Sequence, residues 1–195
     1  ILKPIHESSA GVDGYVSVEV DPRLARNTAA TIDAARALDD QIDSPNLYIK
    51  IPGTKEGLPA ITQMISEGRS INVTLLFSIQ RYAEVIDAYM TGLEMVDGDL
   101  SHISSVASFF ISRTETEVDS RLDQIGSESA LGLKGKTAVA QGQLAYKLFL
   151  EEFSSDRWLT LKDRGAQLQR PLWASTSTKN PQYPDTMYVD ELIGP

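Results

Sequence analysis

The chain has 195 residues, a formal net charge of −9, and 42% hydrophobic and 23% charged residues, the size and balance of one globular domain with a substantial core. The acidic balance, with no basic run, argues against nucleic acid as a partner, and no apolar run approaches the roughly 20 residues that a membrane span requires. Cysteine is absent and only His6 and His102 are available, which excludes disulfides, thiolate nucleophiles and multi-histidine metal centres.

In chain order, the opening ILKPIHES reads as mid-protein sequence, and the chain stops at ELIGP directly after an apolar segment. The expectation is a single domain over residues 1–195, cut at both ends. Tyr15–Val20 predicts the first strand. Thr28–Ile42 predicts a helix, with Ile32, Ala35, Leu38 and Ile42 on one face. Leu47–Ile51 predicts a second strand. After Pro52 and Gly53, Glu56–Glu67 reads as a helix that Gly68 stops. Asn72–Phe77 predicts a third strand, and Ser78 an N-cap for a helix carrying Tyr82, Val85, Ile86 and Tyr89. Ile103–Phe109 predicts a fourth strand and Glu115–Ile125 a helix, followed by a loop over Ser127–Gly135. Helices over Thr137–Phe153 and Arg157–Leu168 lead to a fifth strand, Pro171–Ser175. The region after Asn180, with Pro181, Pro184 and Asp185, reads as loop. Strands alternating with helices predict an α/β domain with a parallel sheet, either an arc of a barrel or a doubly wound sheet. A complete (β/α)₈ barrel takes about 250 residues, so five strands would form only part of one.

Side chains on a strand alternate between faces. Val16, Val18 and Val20 share one face and leave Ser17 and Glu19 on the other. Leu47, Ile49 and Ile51 leave Tyr48 and Lys50; Val73, Leu75 and Phe77 leave Asn72 and Thr74. Ser108 and Ser175 are the polar residues at the ends of the last two strands. A barrel enzyme builds its site from such groups at the C-terminal ends of its strands. Lys50 between two isoleucines has two readings. Burial would favour the neutral amine that attacks a carbonyl, or the tip simply reaches water from a strand end. Glu19 is either a general acid/base or an ion-pair partner. Asn72 and Thr74 either hold a catalytic water or satisfy core hydrogen bonds. Arg113, placed between the fourth strand and a helix beginning near Thr114, is a phosphate ligand or a surface arginine. Lys179 carries the same two readings. The segment ALGLKGKT over residues 130–137 lacks the first glycine and the preceding strand of a P-loop, and His102 lies at the wrong end of its strand for a barrel site.

Five blocks of sequence carry a family resemblance: GYVSVEVDPRLA at 14–25, NLYIKIPGTKEGLPAI at 46–61, INVTLLFS at 71–78, SVASFFISRTETEVD at 105–119 and RPLWASTSTKNPQYPDTMYVDEL at 170–192. Together they resemble transaldolase, in the longer form found in actinobacteria and plants, and the similarity runs essentially end to end. The resemblance implies a (β/α)₈ TIM barrel without cofactor or metal, of which this chain covers the third to seventh strands. It implies a cytoplasmic enzyme of the pentose phosphate pathway, a monomer or homodimer. Such enzymes transfer a dihydroxyacetone unit from sedoheptulose 7-phosphate to glyceraldehyde 3-phosphate, giving erythrose 4-phosphate and fructose 6-phosphate. It would make Lys50 the Schiff-base lysine, and Glu19 an acid acting through a water held with Thr74. Asn72 would lie near the reacting carbon, and Ser108 would contact donor hydroxyls. Arg113 would hold the phosphate, helped by Ser175 and a following basic group, for which Lys179 is the candidate. The family's first-strand aspartate would lie upstream of Ile1, so these 195 residues alone are expected to have little or no activity. Two alternatives are a related Schiff-base aldolase that releases free dihydroxyacetone, and an inactive barrel fragment or part of a fusion protein.

Overall fold

The computed structural model describes residues 1–193. The five apolar runs form five parallel strands: β1 (Val16–Glu19), β2 (Leu47–Pro52), β3 (Ile71–Leu76), β4 (Ser105–Phe110) and β5 (Arg170–Ala174). They lie in one sheet in the order β1-β2-β3-β4-β5. Each strand therefore pairs with the next one in the chain. A doubly wound sheet reverses its strand order at a switch point, and this sheet does not. Sequential parallel pairing through helical crossovers is the winding of an arc of a (β/α)₈ barrel.

Nine α-helices accompany the strands among the described residues, besides a 3₁₀ turn at Pro22–Leu24: α1 (Lys3–Ser8), α2 (Thr28–Ile42), α3 (Gly57–Ser66), α4 (Ile79–Glu94), α5 (Ser112–Ile125), α6 (Glu128–Leu131), α7 (Thr137–Glu152), α8 (Asp156–Lys162) and α9 (Met187–Leu192). Local chemistry sets several of their ends. The side chains of Asn27, Ser78 and Ser155 accept hydrogen bonds from the first-turn amides of α2, α4 and α8. Gly126 closes α5 in the left-handed conformation. Two short helices depart from expectation, and a third forms where the sequence reading assigned no element. The predicted loop Ser127–Gly135 contains the single turn α6, capped by Ser127. The region after Asn180 contains α9, and the opening segment forms α1. Helices of four to six residues show too little periodicity to be read from sequence. The helix expected over Arg157–Leu168 stops at Lys162, because Gly165 turns the chain with φ +90°.

The core lies between one face of the sheet and the helices. Ile49 and Ile51 of β2, Ile71, Val73 and Leu76 of β3, and Ala107 and Phe109 of β4 are buried there against α3 and α4. Ile61, Met64 and Ile65 of α3 and Tyr82, Val85, Ile86 and Tyr89 of α4 meet them. Each such aliphatic side chain contributes roughly 1.5–3 kcal/mol by leaving water. The opposite, inner face carries Ser17, Glu19, Tyr48, Lys50, Asn72, Thr74 and Ser108, as strand alternation requires.

The alternation expected for the third strand breaks after Thr74. Leu75 has φ +61°, and the pairing of β3 with β4 shifts register between Val73 and Leu76. Leu76, not Leu75, enters the helix-side core, while Leu75 and Phe77 remain exposed. This is a bulge, which inserts one residue and re-aims those beyond it.

Candidate active site

Parallel register places three polar residues side by side on the inner face. Glu19 pairs with Lys50, and Lys50 pairs with Asn72. Glu19 closes β1, so the row lies toward the C-terminal ends of the strands. Lys50 Nζ is 3.7 Å from Glu19 Oε2. Of the two readings of this amine, buried or reaching water, the structure shows an intermediate state. The Lys50 side chain keeps 27% of its exposure and Glu19 keeps 43%. An ion pair this open contributes at most about 1 kcal/mol to stability, so the pairing brings the two groups together more than it holds the fold.

Asn72 is buried and both ends of its carboxamide are engaged. Its Nδ2 donates to Ser17 Oγ at 3.0 Å, and its Oδ1 accepts from Ser108 Oγ at 2.8 Å. Thr74, one strand step further on, behaves differently. Its hydroxyl is buried, 1% exposed for the residue, and makes no hydrogen bond within the protein. A buried hydroxyl without a protein partner is costly and is available to pair with another polar group.

The turn after β2 explains why Lys50 sits where it does. IPGT bends the chain from strand to helix in a space that admits no side chain at Gly53 or Gly57. A Cβ on Gly57 would lie 2.0 Å from the Pro52 carbonyl oxygen. The same turn is tied to the preceding loop. Thr54 Oγ1 donates to the Ala25 carbonyl and Thr28 Oγ1 to the Glu56 carbonyl, each at 2.6 Å. Below the polar row, Tyr15 stacks on Tyr48 with ring centroids 4.1 Å apart, and Tyr48 Oη meets Ser104 Oγ at 2.6 Å. Burial pushes the Tyr48 phenol up to about 12, so it stays neutral and forms a fixed floor.

A second cluster occupies the ends of β4 and β5. The sequence placed Arg113 ahead of a helix beginning near Thr114. Instead, α5 begins at Ser112 and Arg113 lies in its first turn. Its guanidinium carbon is 4.9 Å from the centre of the Phe110 ring, and that ring lies 5.1 Å from the ring of Phe77. Ser175, with φ +57°, is joined to the start of α5. The Ser112 amide donates to the Ser175 carbonyl, and the two hydroxyl oxygens are 2.9 Å apart. Arg113 and Ser175 thus belong to one corner.

Lys179 lies elsewhere. Its amine donates to Ser177 Oγ, and it lines a cavity of about 500 Å³ with Glu115, Asp119, Asp123 and Tyr183. Among the described residues no hydrogen bond or ion pair joins Lys179 to Arg113 or Ser175. Within that cavity's wall, Glu115 is almost fully buried and accepts from the Ala138 amide at 3.2 Å, while its other oxygen has no partner. Burial, reinforced by the charge of Asp119, raises its pKa above the usual carboxylate value.

Of the eight residues singled out from sequence, the structure brings Glu19, Lys50, Asn72, Thr74 and Ser108 onto one inner face and Arg113 and Ser175 to one corner. Alternation placed Ser17 beside Glu19 but gave no sign of its hydrogen bond to Asn72. The contacts of Phe77 and Phe110 with each other and with Arg113 were also unread, because aromatic residues at strand ends read as core. Among the described residues no group of three or more His, Asp or Glu side chains is placed to hold a metal ion, and no helix is long and apolar enough to cross a membrane.

Comparison with known proteins gives the same direction throughout. The family model described as transaldolase/fructose-6-phosphate aldolase matches residues 1–195. The chain is 57% identical over 198 residues to a transaldolase of Thermobifida fusca, and the match covers 100% of this chain and 54% of that protein. It is 57% identical over 198 residues to a transaldolase of Acidothermus cellulolyticus, covering 100% of this chain and 53% of that protein. It is 57% identical over 199 residues to a transaldolase of Mycobacterium tuberculosis, again covering 100% and 53%. The chain spans about half the length of the curated relatives it matches. An unreversed parallel sheet, a lysine on its inner face beside a glutamate and an asparagine, and a family match over every residue lead to one conclusion: this chain belongs to the transaldolase/fructose-6-phosphate aldolase family.

Proposed function

We propose that the protein carrying this chain is a transaldolase that moves a dihydroxyacetone unit between sugar phosphates through a Schiff base on Lys50. The observation that carries the reading is the register row Glu19–Lys50–Asn72 on the inner face, with the partnerless Thr74 hydroxyl one step beyond it. In this reading the Lys50 nitrogen attacks the C2 ketone of sedoheptulose 7-phosphate. The carbinolamine loses water to give an iminium. As a base, in the family the first-strand aspartate, takes the C4 hydroxyl proton, the C3–C4 bond breaks and its electron pair moves toward the iminium nitrogen, leaving an enamine and releasing erythrose 4-phosphate. The enamine carbon then attacks the carbonyl of glyceraldehyde 3-phosphate, and hydrolysis frees fructose 6-phosphate.

Glu19 moves protons during formation and loss of the carbinolamine, through a water held with Thr74. Asn72 lies near the reacting carbon, and Ser108 contacts donor hydroxyls. Arg113 takes the phosphate. Its place in the first turn of α5 supports this, since the cation and the helix N-terminus both favour an anion. Ser175 shares that corner and would contribute to it. Lys179 fits the role of second phosphate ligand less well, because it faces the carboxylates of the α5 cavity. The reaction requires no cofactor or metal. The enzyme would act in the cytoplasm, in the non-oxidative pentose phosphate pathway, as a monomer or homodimer.

The test is product analysis. Incubated with fructose 6-phosphate and erythrose 4-phosphate, the protein as the cell produces it should form sedoheptulose 7-phosphate and glyceraldehyde 3-phosphate. Release of free dihydroxyacetone at equal rate, with or without acceptor, would instead make it an aldolase.

A further inference from the structure

We propose that Ser17 is a positioning residue for this reaction, acting through the carboxamide of Asn72. The proposal rests on the Schiff-base reading and extends it. An asparagine side chain has nearly the same shape in its two flipped orientations, so the hydrogen bonds around it decide which end faces the reacting lysine. Here two hydroxyls engage the two ends of the carboxamide and fix its position and plane. Ser108 Oγ donates to Oδ1, and Ser17 Oγ accepts from Nδ2. A flip would require both serines to reverse their roles.

The geometry of the Ser17 link is unusual. Ser17 is on β1 and Asn72 is on β3, with β2 between them. Ser17 pairs in register with Tyr48, and Asn72 with Lys50. The bond therefore crosses the inner face of β2 diagonally, between the side chains of Tyr48 and Lys50. One Nδ2 hydrogen is committed to Ser17, which leaves the other directed by that commitment and available to substrate. Ser17 also shares its strand face with Glu19, two residues on, so the same short strand orients the carboxylate and the amide.

The experiment compares Ser17→Ala and Ser17→Thr in the protein as the cell produces it, with fructose 6-phosphate as donor. Ser17→Ala is expected to lower kcat by about 5- to 20-fold, the effect of one lost hydrogen bond, with KM changed less than about 2-fold. Ser17→Thr, which keeps the hydroxyl, is expected to restore most of the loss. In an Asn72→Ala background, Ser17→Ala is expected to add less than about 2-fold, because the two act as a unit. Should Ser17→Ala lower the melting temperature, Ser17→Cys, of similar size but with a weaker acceptor, is expected to show the same kcat loss in a stable protein.

Wild-type kcat in Ser17→Ala, or a loss that persists undiminished without Asn72, overturns the proposal. Borohydride trapping separates the two levels. A wild-type protein labelled at Lys50 whose Ser17 variants are normal overturns only the role of Ser17. A wild-type protein not labelled at Lys50 overturns the Schiff-base reading and this proposal with it.

Discussion

Leu76 occupies the space that a side chain at Gly53 would fill: a Cβ there would lie 2.4 Å from Leu76 Cδ2. The contact locks β3 to the turn after β2, and it exists because the left-handed Leu75 returns Leu76 to the helix-side core. The Gly53 amide reinforces it by donating to the Thr74 carbonyl at 2.8 Å. The bulge, the turn and the partnerless Thr74 hydroxyl are therefore parts of one arrangement.

Gly53→Ala should consequently damage both fold and site. The new methyl must displace a fully buried leucine, an overpacking expected to cost about 1–3 kcal/mol. Urea denaturation measures that loss directly. Activity should fall further than the folded fraction accounts for, because Thr74 and Lys50 are carried by the two segments that move. A stable variant of normal activity would show that the packing is looser than the structure describes.

Arg113→Ala should separate phosphate recognition from chemistry. KM for fructose 6-phosphate is expected to rise about 10- to 100-fold, the effect of losing a charge-assisted contact of roughly 1.5–3 kcal/mol. Turnover of a donor without phosphate, already poor, should change little. Equal losses with both donors would mean that the guanidinium supports the corner of Phe77 and Phe110 and does not bind phosphate.

Glu115 gives a pH signature away from the proposed chemistry. Burial raises its folded pKa above the unfolded value, so its contribution to stability is fully present below the unfolded pKa and is lost as pH rises through the folded one. Glu115→Gln removes that titration while keeping an acceptor for the Ala138 amide. It should stabilise the protein at pH 8 by on the order of 1 kcal/mol, and the gain should disappear toward pH 4. Denaturation midpoints at both pH values test this; a variant destabilised at pH 8 would contradict it.

Much of this was legible in the sequence, for physical reasons that also mark where legibility stopped. Strands buried on one face and polar on the other gave themselves away by alternation, which set Lys50, Glu19 and Asn72 each opposite the apolar face of its strand; the register that makes them neighbours lies in the strand pairing. Alternation failed at Leu75 and Phe77, because the bulge answers to Gly53, a residue more than twenty positions away. The first turn of α5 was missed because Ser112 and Arg113 follow an apolar strand without a turn signal. Lys179 was a candidate only through the resemblance, as the basic group following Ser175; the structure sets it on the cavity lined by Asp119. Alternation left burial and reach to water both open for Lys50, because the two isoleucines beside it face the helices and neither covers its amine.

The most direct test of the central claim is borohydride reduction of the protein with fructose 6-phosphate, followed by peptide mass spectrometry. A dihydroxyacetone-derived or fructose 6-phosphate-derived adduct is expected on Lys50, and none in Lys50→Met. Label on another lysine, or undiminished label in Lys50→Met, would contradict it.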